Sequence, residues 1–147
     1  MELSSPSNPK LKYVVKLRSC STREEAGEMI VEGYRECRRA LDCGYRPRAL
    51  FHCPDFYLKN ENEPTIVAEC AKLGAEIYTC SRVCFEKIAY KERPDGLLMV
   101  GPHVSIKLAD LKLPENALVI VTEAIEKPGN LGTILRSADA AKVAAVI

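Results

Sequence analysis

The residues with the most chemical promise lie late in the chain, in NALVIVTEAIEKPGNLGTILRSADAAKVAAVI. An apolar run from Ala117 to Val121 leads into a Pro-Gly turn, Asn130 opens a helical pattern, and Arg136 follows six residues later. The Gly-rich segment Glu126-Lys-Pro-Gly-Asn-Leu-Gly-Thr follows a strand and precedes a helix. Helix N-termini offer free N–H groups and a positive dipole end, so such a segment suits an anion such as phosphate. Leu131, Ile134, Leu135, Ala138 and Ala141 share the spacing of a core-facing stripe. Asn130, Thr133, Arg136 and Ser137 lie off it, beside the carboxyl end of a strand, where open α/β sheets keep their sites. Asn130 also fits a plain N-cap and Arg136 a plain surface side chain. The P-loop pattern and the first Gly-x-Gly of the dinucleotide fingerprint are absent. Gly129-Asn-Leu-Gly132 matches the short GXXG of KH modules, but a KH loop joins two helices and this one follows a strand.

A second basic feature is Tyr34-Arg-Glu-Cys-Arg-Arg-Ala-Leu, in which Arg35, Arg38 and Arg39 stand at i, i+3 and i+4 on one helical face. Arg46 and Arg48 follow, giving five arginines in fourteen residues. Such a stripe can neutralise several phosphates with release of counterions. A solvated face paired in part with Glu36 and Asp42 explains the same residues.

Seven cysteines, an odd number, lack any C-x-x-C pair, which reads as scattered reduced thiols. A zinc site from Cys80, Cys84, His52 and Cys53 would need ligands from unrelated elements, and no metal is expected.

The chain has 147 residues, of which 47% are hydrophobic and 28% charged, a globular composition. Net charge is +1, but residues 1–50 hold ten basic against seven acidic residues, and residues 51–100 six against eight. No apolar run approaches the roughly 20 residues that span a bilayer. The opening MELSSPSNPK has no charged leader ahead of an apolar stretch, so a cytoplasmic protein is expected.

The elements that must position these residues follow from periodicity and punctuation. Asn8-Pro9 starts a helix running to about Arg18, and Ser21 with Glu24 reads as a capping box. Glu28–Glu32 reads as strand, Tyr34–Asp42 as a helix stopped by Gly44, and Pro47–Cys53 as strand. Pro54–Pro64 is turn-rich. Pro64–Leu73 reads as helix, Glu76–Cys80 as strand, and Ser81–Ala89 as a helix with Val83, Phe85 and Ile88 as its apolar positions. Tyr90–Asp95 is a charged loop and Gly96–Val100 a strand. Residues 25–101 thus alternate strand and helix, which predicts a small sheet covered by helices. Residues 1–24 are read as an N-terminal helical segment and 102–115 as a linker. Residues 116–147 are read as a βαβ unit that stops at its second strand.

With these elements in place, TEAIEKPGNLGTILRSADAA resembles the first signature motif of the SpoU/TrmH RNA ribose 2′-O-methyltransferases, a SPOUT-class family with a trefoil-knotted α/β domain. The matching residues are Glu123, Pro128-Gly129-Asn130, Leu131-Gly132 and Arg136. Ile30-Val-Glu-Gly33 ahead of the arginine-bearing helix, and Arg93-Pro-Asp-Gly96 ahead of an apolar strand, are similar to the opening and close of the family's RNA-substrate-binding domain. Two positions depart from the usual pattern: Lys142 stands where glycine is frequent, and Lys127 where many relatives have Asp.

The resemblance implies an α/β fold: a small α/β/α sandwich similar to kink-turn-binding ribosomal proteins, then the truncated start of an α/β-knot domain. It implies methyl transfer from S-adenosylmethionine to a ribose 2′-OH, with RNA, ribosomal first and transfer RNA second, as partner. Arg136 would be the catalytic arginine and Asn130 would help build the site. The complete protein would be a homodimer. Cofactor-binding residues are expected beyond Ile147, so the chain reads as an N-terminal fragment that alone neither binds the cofactor nor methylates RNA. The alternatives are a non-catalytic RNA-binding module of the same fold and a nucleotide-binding α/β protein of another class.

Overall fold

The computed structural model describes residues 1–58, 62–126 and 128–147, divided into two units, Met1–Val104 and Ser105–Ile147. The expectations for residues 59–61 of the turn-rich stretch and for Lys127 lie outside the described residues.

The first unit runs β1 (Glu2–Leu3), α1 (Pro9–Lys16), α2 (Cys20–Ala26), β2 (Glu28–Glu32), α3 (Tyr34–Asp42), β3 (Ala49–His52), α4 (Asn62–Lys72), β4 (Glu76–Cys80), α5 (Arg82–Ile88) and β5 (Leu97–Pro102). Its strands form one mixed sheet in the order β1-β4-β3-β5-β2. The β1–β4 and β4–β3 pairs are parallel, and β5 is antiparallel to both β3 and β2.

Side chains alternate across a strand, and β5 lies between β3 and β2 with helices over both sides of the sheet, so both of its faces must be apolar. Leu97 and Met99 join Cys37, Leu41, Leu50, Ile66 and Cys70 on the face covered by α3 and α4. Leu98 and Val100 join Leu11, Val14, Phe51, Tyr78, Phe85 and Ile88 on the face covered by α1 and α5. The result is the expected helix–sheet–helix sandwich. Leu11, Val14 and Leu17 are fully buried, each contributing about 1.5–3 kcal/mol. Residues 1–24 are therefore built into this unit. β1 was not visible in the sequence: two residues give no period, and Leu3 is held by its register against Cys80.

The helices of this unit follow local chemistry with two corrections. Asn8 caps α1 as expected, its Oδ1 accepting from the Lys10 amide at 2.9 Å. α2 starts at Cys20 with Ser19 at the cap, so Ser21 lies inside the helix and forms no capping box. Ser21 instead bonds the Ser19 hydroxyl at 2.7 Å. In α5, Val83 is 61% exposed, because Cys84, Phe85 and Ile88 already fill the side facing the sheet. α3 stops where Gly44 enters the left-handed region at φ 80°.

The second unit contains β6 (Val119–Ile120), α6 (Pro128–Ala140) and β7 (Ala145–Val146). β6 and β7 are parallel, with Val119 opposite Ala145 and Ile120 opposite Val146, so the βαβ unit forms. α6 begins at Pro128, where proline's missing N–H costs nothing. This places Asn130 in the first turn rather than at the cap. The expected core stripe is mostly uncovered: Ala138 is buried, but Leu131 is 40% and Leu135 47% exposed, and Ala141 is exposed. Two strands of two residues offer too little surface to cover a helix of 13 residues. Lys142 takes a positive φ of 54° where the family pattern prefers glycine.

Candidate nucleic-acid interface

In the second unit, α6 follows the carboxyl end of a parallel strand, and its first turns carry Asn130, Thr133 and Arg136 at i, i+3 and i+6, a ridge along the helix. Arg136 Nη2 donates to Thr133 Oγ1 at 3.1 Å, and that hydroxyl donates to the Gly129 carbonyl at 3.0 Å. The chain Arg136–Thr133–Gly129 sets where the guanidinium rests without neutralising it. Arg136 is exposed, and among the described residues no carboxylate pairs with it. At Gly132 a Cβ would stand 3.5 Å from the Arg136 guanidinium, so this part of the helix surface stays open around the arginine. Asn130 and Glu123 are also exposed. A protonated guanidinium beside a small-residue helix face can hold a phosphate or a developing oxyanion through its planar fork, but it cannot act as a simple base.

In the first unit the arginine stripe separates into two kinds. Arg35, Arg39 and Arg46 are exposed, and none has a carboxylate partner among the described residues. Arg38 is committed within the fold: it donates to both Glu69 oxygens on α4, at 2.6 and 3.1 Å, and to Asp42 at 2.9 Å. The hydrogen bonds from Arg38 hold the Glu69 carboxyl below its ordinary pKa, and those to Glu69 and Asp42 raise that of Arg38. Arg48 is exposed but bridges to Glu28 at 2.7 Å. The sequence anticipated pairing with Asp42 but not with Glu69 or Glu28, which lie 31 and 20 residues away.

The other chemically able groups are structural. Five cysteines are buried and two, Cys20 and Cys43, exposed. Burial pushes the Cys80 thiol up to about 12 and Cys70 to about 11, so neither is a ready thiolate. His52 is engaged at both ring nitrogens, by the Tyr57 hydroxyl at 2.7 Å and Thr79 at 3.0 Å. Burial lowers its pKa first, with the N-terminal charge adding to the shift.

Residues 8–99 match the family model described as "MRM3-like substrate binding domain". The chain is 27% identical over 146 residues to "23S rRNA (guanosine(2553)-2'-O)-methyltransferase RlmP" of Bacillus subtilis, covering 99% of this chain and 53% of that protein. It is 36% identical over 87 residues to "23S rRNA (guanosine-2'-O-)-methyltransferase RlmB" of Pasteurella multocida, covering 56% of this chain and 36% of that protein. A solved structure titled as an RNA 2′-O ribose methyltransferase superposes with TM-score 0.81 at 29% identity, over 99% of this chain and 54% of that one. The chain belongs to the SpoU/TrmH family, and its residues 8–99 are an MRM3-like substrate binding domain. It spans about half the length of the first relatives it matches.

The methyl donor that the family implies is a sulfonium with an adenosine and an amino-acid tail, and it asks for polar partners along its whole length. The second unit has a cavity of about 370 Å³ lined by the stretch Ile106–Leu108, Leu111 and Ala144–Ile147. Lys107 is the one ionisable side chain there, so this lining does not fit the donor.

Proposed function

We propose that this chain is the substrate-binding domain and first catalytic motif of an RNA ribose 2′-O-methyltransferase that modifies ribosomal RNA with S-adenosylmethionine as donor. The complete protein acts as a cytoplasmic homodimer. The observation that carries this reading is the exposed, unneutralised Arg136, set by Thr133 on the helix after a parallel strand. Its fork holds the phosphate next to the target nucleotide and stabilises the negative charge that grows on the 2′-oxygen as its proton leaves. Asn130, one turn earlier, helps position the same ribose–phosphate segment. Fixing the orientation of that ribose–phosphate segment supplies much of the rate. Arg35, Arg39 and Arg46 steer RNA onto the first unit, with Arg48 adding positive charge on the α1 side of the sheet and Arg38 acting indirectly by anchoring α3.

The test is methyl transfer by the full-length enzyme. Arg136→Ala is expected to lower the single-turnover rate by about 10²–10³ while RNA affinity changes little, and Arg136→Lys restores only part of it because a point charge lacks the fork. An alanine variant that methylates at the ordinary rate removes the assignment. Tight RNA binding with no methylation by the wild-type full-length protein would instead assign the chain to a non-catalytic RNA-binding module.

A further inference from the structure

On the α1 side of the first unit's sheet, one patch is left uncovered by helix. It forms an open cavity of about 340 Å³ between α1 and residues of β2, β3, β4 and β5, at the small end of the range for ligand pockets. Its floor is apolar, with Val14, Ala49 and Val100. Tyr13 forms one wall and is 39% exposed.

At its base lies Glu28, a charged residue only 7% exposed. Tyr13 donates its hydroxyl to Glu28 Oε2, and Arg48 Nη1 donates to Oε1 at 2.7 Å. The hydrogen bond to Glu28 is the main reason the Tyr13 phenol is pushed up to about 12, so it remains a donor at neutral pH. An ionised carboxylate has about four acceptor positions. Tyr13 and Arg48 use one on each oxygen, which leaves one free on each. Lys10, paired with Glu76 at 3.1 Å, sits at the rim.

A rigid carboxylate with a free acceptor on each oxygen, beside an exposed aromatic ring, asks for a flat ligand with two adjacent N–H donors. Among RNA bases guanine alone offers this, through N1–H and the N2 amino group. Adenine would present its N1 lone pair to the carboxylate. Single-stranded RNA is read in this manner, by stacking on an aromatic side chain and bonding to the Watson–Crick edge. The Arg48 guanidinium, 64% exposed at the side chain, and Lys10 border the cavity and can pair with flanking phosphates.

We propose that the cavity bounded by Tyr13, Glu28 and Arg48 holds one unpaired guanine of the RNA, as a recognition site separate from the ribose that is methylated. This rests on the RNA-binding reading above.

Fluorescence anisotropy of the 147-residue chain with labelled UUGUU, UUAUU and UUIUU RNAs tests it. The guanine RNA is expected to bind about tenfold tighter than the adenine RNA, with inosine, which lacks the N2 amino group, between them. Glu28→Gln should abolish the preference, and Tyr13→Phe, which keeps the ring, should reduce it. Equal affinity for the three RNAs, a preference that survives both variants, or no binding of any of them up to about 1 mM overturns the proposal. Should Glu28→Gln fail to fold, amide NMR shifts of the wild-type chain with UUGUU decide. Shifts centred on Tyr13, Glu28 and Arg48 support the site, and shifts elsewhere overturn it. The methyltransferase reading fails separately, through full-length Arg136→Ala.

Discussion

Arg136 and Arg38 are the same residue type with opposite fates, and the difference lies in their neighbours. Arg136 has a hydroxyl for company and, among the described residues, no carboxylate partner, which leaves it available to an anion from outside. Arg38 holds two carboxylates and ties α3 to α4. The Arg38–Glu69 pair is partly exposed, at 30% and 38% of the side chains. Exposed pairs contribute about 0.2–1 kcal/mol, and bidentate geometry favours the upper end. Glu69→Gln is therefore expected to lower unfolding stability by about 1 kcal/mol at pH 7. The sign of its pH dependence follows from the depressed carboxyl pKa of the folded state. The contribution is fully present above the unfolded Glu value of about 4.3. It is lost as pH falls through the lower folded value. Urea titrations should show the wild type and Glu69→Gln converging on acidification, and a gap that persists or widens below pH 4 would contradict the pairing.

At the scale of elements, the sheet depends on how β5, paired on both edges, enters it. Gly96 precedes β5 with φ 78°, and a Cβ there would stand 2.5 Å from the Cys53 carbonyl oxygen. The Cys53 amide meanwhile donates to the Gly96 carbonyl at 2.9 Å, so neither backbone can yield without loosening the other. Gly96→Ala is expected to cost about 2–3 kcal/mol from strain and overpacking together, read as a lower urea midpoint at unchanged slope. A change under about 0.5 kcal/mol would mean that the strand entry is softer than its geometry indicates. α6 is organised differently. It keeps its helical form with Leu131 and Leu135 exposed, so its apolar stripe is not a local requirement of the unit that contains it.

At the scale of the whole molecule, two compact units meet in a chain segment with little cover. Residues 102–110 and 112–116 are exposed, and Lys107 and Lys112 lie within them. The first unit owns a two-faced core and the second only a two-stranded sheet. Limited trypsin digestion is expected to cut first at Lys107 or Lys112 and to leave a resistant N-terminal fragment, identified by intact mass. Early cleavage inside α1 or α5 would refute a unit that begins at Met1. The arginine stripe on α3 and Arg136 on α6 thus reside on different units. Among the described residues, no helix is long and apolar enough to cross a membrane.

What the sequence determined alone was everything governed by near neighbours. The Asn8 cap, the strands at Glu28–Glu32 and Glu76–Cys80, the stop at Gly44 and the motif around Arg136 each depend on residues within a few positions, so spacing suffices to read them. Tertiary structure decided what depends on residues brought together from afar. β1 exists only by its register on β4, and Arg38 is claimed by Glu69 across two helices. The Tyr13–Glu28–Arg48 cavity draws on one helix and four strands whose spacing along the chain carries no period. Hydrogen bonds and burial act through space at a few ångströms, and no pattern along a chain records which distant residues folding will place that close.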